Sequence, residues 1–254
     1  MSESAAPWSF ARMARMTFDA IQLPDVSALS VAILGGTGDQ GRGLAYRFAR
    51  AGHAVLIGSR TPERGRAAAD DIGSLLADTT LLGDRAGAGE VTGGDNAWAA
   101  ATADVVIIAV PWAGHADTVA ALAGPLAGKL VVDCVNPLGF DAQGPYPLSV
   151  PEGSAAQQAA ALLPDSRVCA AFHHVSAVVL ADPAVDAVDL DVLVLGEDRA
   201  AVATVAALAG RINGMRGVYA GRLRNAGQVE ALTANLIAVN RRYRAHAGLR
   251  ITDL

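Results

Sequence analysis

An apolar run, Val31-Ala-Ile-Leu34, leads directly into Gly35-Gly-Thr-Gly-Asp-Gln-Gly41, and Leu44 to Ala51 continues at helical spacing. A strand, a glycine turn and a helix in that order leave few folds open. The glycines at Gly36, Gly38 and Gly41 stand at the G-x-G-x-x-G spacing that a dinucleotide pyrophosphate needs. One makes a sharp turn, the second lets the backbone approach the phosphates, and the third lets helix and strand pack closely. The helix N-terminus that follows offers free N–H groups and a positive dipole end to an anion.

His53-Ala-Val-Leu-Ile-Gly58 reads as the second parallel strand. An Asp or Glu near the end of that strand accepts hydrogen bonds from the ribose of NAD. Here the end is Gly58-Ser59-Arg60, with Arg64 and Arg66 beyond and no acid before Glu63. A hydroxyl and a guanidinium hold a 2′-phosphate through charge-assisted bonds, whereas a carboxylate repels it. The alternative is that Ser59 and Arg60 merely cap the next helix, which Thr61-Pro62 opens with a hydroxyl N-cap and a Pro at the first helical position. Their place beside the adenosine ribose favours NADP(H).

Further along, a helix over Pro62 to Ala77 leads to a glycine-rich stretch with a short strand at Glu90-Val-Thr92 and a helix at Ala97 to Ala101. Asp104 to Val110 and Lys129 to Val135 are near-continuous apolar runs, the mark of strands buried on both faces of a parallel sheet. The first ends in Pro111-Trp112 and the second in Asn136-Pro137. A helix from Ser154 to Leu163 precedes a strand from Arg167 to Phe172, which ends in His173-His174. Strands alternating with helices predict a doubly wound parallel α/β sheet of Rossmann type. Ligands bind beyond the carboxyl ends of such strands, at the switch point. Pro111, Trp112, Asn136 and His173 are therefore candidates for the nicotinamide end, while Asp133 reads as structural and His115 as the start of a helix.

After Ala181 the pattern changes to a strand over Val188 to Leu195, a helix over Arg199 to Ala209, a strand over Arg216 to Ala220 and a long helix over Gln228 to His246. In that helix Val229, Leu232, Leu236 and Val239 recur at three and four residues, a stripe that reads as core or subunit contact. The expected division is an N-terminal extension over 1–28, with one short helix at Phe10 to Met16, a dinucleotide-binding domain over 29–180, and a small C-terminal α+β domain over 181–254 that closes over the nicotinamide. The apolar stripe points to a homodimer.

A net charge of −5 without a basic stripe argues against a nucleic-acid partner. Cys134 and Cys169 lack metal-ligand spacing and read as core thiols, and no metal site is expected. No apolar run reaches membrane-spanning length and nothing resembles a signal peptide, so the expected compartment is the cytoplasm.

From about Leu29 to the C-terminus the chain resembles the NADPH:F(420) oxidoreductases, which pass hydride between NADP and the 8-hydroxy-5-deazaflavin coenzyme F(420). The resemblance is carried by Leu34-Gly-Gly-Thr-Gly38, Gly58-Ser-Arg60, Ile108-Ala-Val-Pro-Trp112, Ala171-Phe-His173 and Val229-Glu-Ala-Leu-Thr233. It implies that Thr37, Ser59, Arg60 and Arg64 hold the 2′-phosphate. Gly38, Asp39, Gln40 and Gly41 would hold the pyrophosphate, and Val110, Pro111 and Trp112 would flank the nicotinamide. His173, Val175, Ala177 and Thr233 would line the space for the deazaflavin. Apart from the resemblance, a donor such as His173 or Thr233 is expected to stabilise the negative charge that develops as hydride arrives. The chain departs from the family at Asp39-Gln40 (often Asn-Leu), at His174-Val175-Ser176 (Thr-Ile-Pro), and at Gly227 and Ala231 (Arg and Ser).

Hydride transfer between stacked rings demands little acid–base machinery, so the lack of a Ser–Tyr–Lys or Lys–Asp set fits this reading. Two alternatives stay open at this point. One is an NADPH-dependent reductase of another flavin-like or small carbonyl substrate, and the other is a non-catalytic NADP-binding redox sensor.

Overall fold

A computed structural model describes residues 23–77 and 87–254. The short helix expected at Phe10 to Met16 lies outside the described residues. The chain order is β1 (Val31–Leu34), α1 (Asp39–Arg50), β2 (Val55–Ser59), α2 (Pro62–Ala77), β3 (Val91–Asp95), α3 (Asn96–Thr102), β4 (Val105–Ile108), α4 (His115–Ala121), α5 (Ala123–Leu126) and β5 (Leu130–Asp133). There follow β6 (Leu138–Asp141), β7 (Gly144–Pro147), α6 (Ala155–Leu162), β8 (Arg167–Ala170), α7 (Ala177–Ala181), β9 (Leu190–Gly196), α8 (Arg199–Ala209), β10 (Met215–Gly221) and α9 (Ala226–Tyr243).

Eight strands form one sheet in the order β10-β9-β8-β5-β4-β1-β2-β3. Every pairing is parallel except β8 with β9. The strand order reverses between β1 and β4, which makes the switch point. β1, β4 and β5 are fully buried, as their unbroken apolar runs require of strands covered on both faces. One apolar layer joins the sheet to α1, α2 and α8 through Leu44, Phe48, Ile72 and Val205. The other joins it to α3, α4, α6 and α9 through Ala99, Val119, Ala159 and Val229.

The sequence places a domain boundary after residue 180. In the structure β9 and β10 lie beyond it yet extend the same sheet, through the antiparallel pairs Cys169–Gly196 and Ala170–Leu195. The periodicity of a strand carries no information about its partner, so that junction is invisible in the sequence. The β6–β7 hairpin is a further addition. It carries Pro145 and Pro147, whose missing N–H groups an isolated two-stranded ribbon tolerates at its edge positions. The long last helix ends at Tyr243 because Arg244 adopts the left-handed conformation, φ 51°.

Two buried devices position the elements around the sheet's carboxyl edge. Arg47 of α1 is almost wholly buried, and its guanidinium donates to the carbonyls of Val179, Leu180, Asp182 and Val185. This satisfies every nitrogen of the guanidinium and fixes α7 against α1. Glu230 of α9 does the same for α6. Its carboxylate accepts the N–H groups of Ala155 (2.9 Å) and Ala156 (3.2 Å), while the Ser154 hydroxyl accepts that of Gln157. The first turn of α6 is thereby capped by its own N-cap serine and by one carboxylate from α9.

Beneath this cap the His115 ring bridges Asp133 (2.7 Å) and Gln158 (2.9 Å), with both His115 and Asp133 fully buried. Burial by itself would lower the His115 pKa; the Asp133 hydrogen bond and charge, helped by Gln158, outweigh it and raise it. Burial, with Asp133 nearby, lifts Glu230 to about 7 against the pull of its two N–H donors and of His115.

Two outcomes follow for stability. Gly41→Ala brings a Cβ within 2.7 Å of the Gly36 Cα, so it should cost about 1–3 kcal/mol by thermal unfolding. Gly73→Ala, with nothing within 4 Å in α2, should be neutral or stabilising by up to about 1 kcal/mol. Equal effects would contradict the close-packing account. Glu230 and His115 both bind protons more tightly in the folded chain, so their stabilisation is complete at acid pH. That of Glu230 is lost as pH rises from about 4.5 to 7, that of His115 as pH rises above about 6.5. The Glu230 part is about 3 kcal/mol. Thermal midpoints measured from about pH 5 to 8 should fall in the wild type and fall less steeply in Glu230→Gln. Parallel slopes would sink the assignment.

Candidate active site

The glycine turn brings the first half of the site to the end of β1. Gly35 takes a positive φ of 70°, and its N–H donates to Asn96 Oδ1 (3.3 Å), so α3 holds the turn from outside. Gly38 is the N-cap of α1 and no side chain caps that helix. A Cβ on Gly38 would meet only the Gly35 carbonyl at 3.7 Å, which leaves open space in front of the free N–H groups. A pyrophosphate fits this cradle: uncapped donors, a dipole end and no side chain in the way.

At the end of β2, Ser59 is buried and Arg60 and Arg64 are exposed. Neither arginine makes an ion pair with a described residue, so both guanidiniums are available to an anion beside the turn. At the end of β4, Val110 is buried against Gly35, Pro111 is exposed and Trp112 is half-buried. The Trp112 ring lies over the His115 ring at 5.5 Å and 31°. This tilted contact with an imidazole held from both nitrogens holds the indole at the strand end.

A cleft of about 220 Å³ opens between α1, the end of β8 and α9. Its walls include Gln40, Asn136, His173, Val175, Ala177 and Thr233. The sequence-assigned residues His173, Val175, Ala177 and Thr233 are therefore together, and Gln40 joins them from the pyrophosphate helix. The turn that carries His173 begins at Phe172, a non-glycine residue at φ 64°, a conformation that costs of order 1–3 kcal/mol and persists where surrounding contacts impose it. Three side chains impose it here. Gln40 Nε2 donates to the Phe172 carbonyl (3.3 Å), and Asn136 Nδ2 (2.8 Å) and the Thr233 hydroxyl (3.1 Å) donate to the His173 carbonyl.

With its backbone so held, the His173 imidazole is nearly fully buried, both ring nitrogens are shut off from solvent, and neither forms a hydrogen bond of ordinary geometry, although the backbone of Cys134 and Val135 lies near enough to favour its protonated form. Burial pushes its pKa down to about 4, so the ring is neutral at pH 7 and offers one N–H and one lone pair. His174 is likewise held near 4 by burial and by its neighbour, and accepts from the Leu193 N–H. The hydroxyl of Thr233, assigned from sequence as a donor to ligand, is spent on the His173 carbonyl.

Several site residues escape the sequence. Asn96 had no signal, because its contact to Gly35 spans sixty-one positions. Leu236 belonged to a stripe that reads as core, yet it lines the cleft with Ile237 and Asn240. Gly227, where the resemblance implies Arg, has a packing reason: a Cβ there would lie 2.5 Å from the Gly153 carbonyl. Cys134 and Cys169 are both buried free thiols. Among the described residues no helix is long and apolar enough to cross a membrane.

Residues 30–137 match the family model described as NADP oxidoreductase, coenzyme F(420)-dependent. The F(420)-dependent NADP reductase of Methanothermobacter thermautotrophicus is 38% identical over 234 residues, 90% of this chain and 97% of that protein. The enzyme of the same name from Methanocaldococcus jannaschii is 38% identical over 230 residues, covering 89% and 99%. A crystal structure from Arthrobacter sp. FB24, named for an F(420)-dependent NADP-reductase, superposes with a TM-score of 0.72 at 30% identity and covers 89% of this chain and all of that one. With the glycine turn, the arginine-bearing end of β2 and the cleft at the end of β8 all in place, the chain belongs to the family of F(420)-dependent NADP reductases.

Proposed function

We propose that this chain transfers hydride between NADP(H), seated on the glycine turn, and coenzyme F(420), seated in the cleft between α1, the end of β8 and α9. The observation that carries the reading is the position of Gln40. It stands in the first turn of the helix that faces the pyrophosphate and also in the wall of the cleft, so the two half-sites share one edge of the sheet. When bound, the nicotinamide and the deazaflavin exchange the hydride between themselves, and the protein supplies their alignment and a dry environment.

Thr37, Ser59, Arg60 and Arg64 hold the 2′-phosphate, and the free N–H groups at the start of α1 hold the pyrophosphate. Val110, Pro111 and Trp112 form the wall beside the nicotinamide at the end of β4. His173 contributes a neutral N–H donor toward the deazaflavin's carbonyl and ring-nitrogen region, where negative charge grows during reduction. A buried donor with no well-formed hydrogen bond gains from such a ligand acceptor, since satisfying it removes a desolvation cost of about 1–3 kcal/mol. Thr233, Asn136 and Gln40 act through the backbone that delivers this ring.

Arg60→Glu should weaken NADPH binding by at least about tenfold while changing NADH binding much less, because it sets a carboxylate against the phosphate alone. Isothermal titration with both nucleotides reads the difference, and equal losses would refute the 2′-phosphate assignment. His173→Ala should slow single-turnover hydride transfer by about 10- to 100-fold and leave NADPH affinity near wild type. Stopped-flow loss of deazaflavin absorbance measures it; an unchanged rate would remove His173 from the reaction.

A further inference from the structure

We propose that Arg241 and Arg244, on the rim of the cleft, form a subsite for the anionic tail of the deazaflavin coenzyme. The proposal rests on reading the cleft as the deazaflavin site. Coenzyme F(420) carries, beyond its ring and ribityl chain, a phosphodiester and glutamate carboxylates, and these need a cationic surface rather than a ring pocket.

The rim is defined by how α9 ends. Asn240 and Ala247 both line the cleft. They are stitched together, since Ala247 N–H donates to Asn240 Oδ1 (2.6 Å) and Ala245 N–H to the Asn240 carbonyl (3.2 Å). Arg244, in the left-handed conformation, turns the chain back on itself between those ends. His246 then reaches the opposite lip, with Nδ1 3.5 Å from the Ser176 hydroxyl. The segment from Arg241 to His246 thus connects two residues of the cleft wall, Asn240 and Ala247.

Charge and direction agree with this placement. Arg241 follows Ile237 by four residues on α9 and so continues the helical face that lines the cleft, while Arg244 stands in the turn between the lining residues Asn240 and Ala247. Both are exposed, and neither pairs with an acid among the described residues. The polar groups inside the cleft are neutral: Gln40, Asn136, the unprotonated His173, Ser176, Thr233 and Asn240. A planar ring suits that lining, and phosphate or carboxylate suits the guanidiniums at its mouth, which bind such groups bidentately. Cations in the last turn also complement the helix dipole, and that role alone would leave ligand binding untouched.

The test compares two probes by deazaflavin fluorescence titration without nucleotide: coenzyme F(420), and its chromophore with the ribityl chain but no phosphate or glutamate. Wild-type protein should bind the tailed form more tightly, and the advantage should shrink as salt rises. The double variant Arg241→Glu/Arg244→Glu should weaken the tailed form by about tenfold and change the tail-free form by less than about twofold. An equal change for both probes, or none for either, overturns the subsite. If the double variant does not fold by circular dichroism, Arg241→Ala alone and the wild-type salt series decide the same question. Wild-type protein that binds the tail-free form but gains nothing from the tail defeats the subsite and leaves the cleft reading standing. Failure to bind either form defeats both.

Discussion

The working edge of this protein depends on how closely α1 can approach β1. With a hydrogen at the third glycine of the motif, Gly41 packs against Gly36, where any Cβ would sit 2.7 Å from a backbone carbon. That contact aims the uncapped start of α1 at the place where phosphates bind. It also sets the register of everything else on the helix. Gln40, one residue before, reaches the Phe172 carbonyl, and Arg47, two turns on, binds four carbonyls around α7. In the proposed reading one helix therefore serves the nucleotide and the second ligand together. Loosening it by a few tenths of an ångström would move both half-sites.

The second constraint is buried charge. Glu230, Asp133 and His115 lie out of water between α4, β5, α6 and α9, where isolated ions would be costly. The cost is contained because each has specific partners: helix N–H groups for Glu230, and Asp133 with Gln158 for His115. The two hydrogen bonds of Glu230 fix how α9 docks on the first turn of α6. That docking puts the Thr233 hydroxyl on the His173 carbonyl and places Ile237 and Asn240 on the cleft wall.

What the sequence made legible was local. The strand–glycine turn–helix at Val31 to Arg50, the helix from Pro62 to Ala77 and the buried runs at β4 and β5 announce themselves by periodicity and by turn chemistry, and their order specifies a doubly wound sheet. His173 was recognisable as a strand-end residue. The distant contacts were hidden. Nothing near Asn96 shows that it holds Gly35, nothing near Arg47 shows four carbonyls from another segment, and Leu236 looks the same whether its stripe faces core or cleft. The pairing of β8 with β9 across two residues, and the use of Phe172 at positive φ, arise only when several elements meet.

The central claim is that the two rings touch at the carboxyl edge of the sheet, with water excluded between them. Single turnover with NADPH bearing deuterium on the transferable C4 position, run in ordinary water, tests it most directly. Mass spectrometry of the reduced deazaflavin should find that deuterium retained at the receiving ring carbon in essentially every product molecule. Hydrogen drawn from solvent at that carbon would mean the rings never meet, and the arrangement described would be wrong.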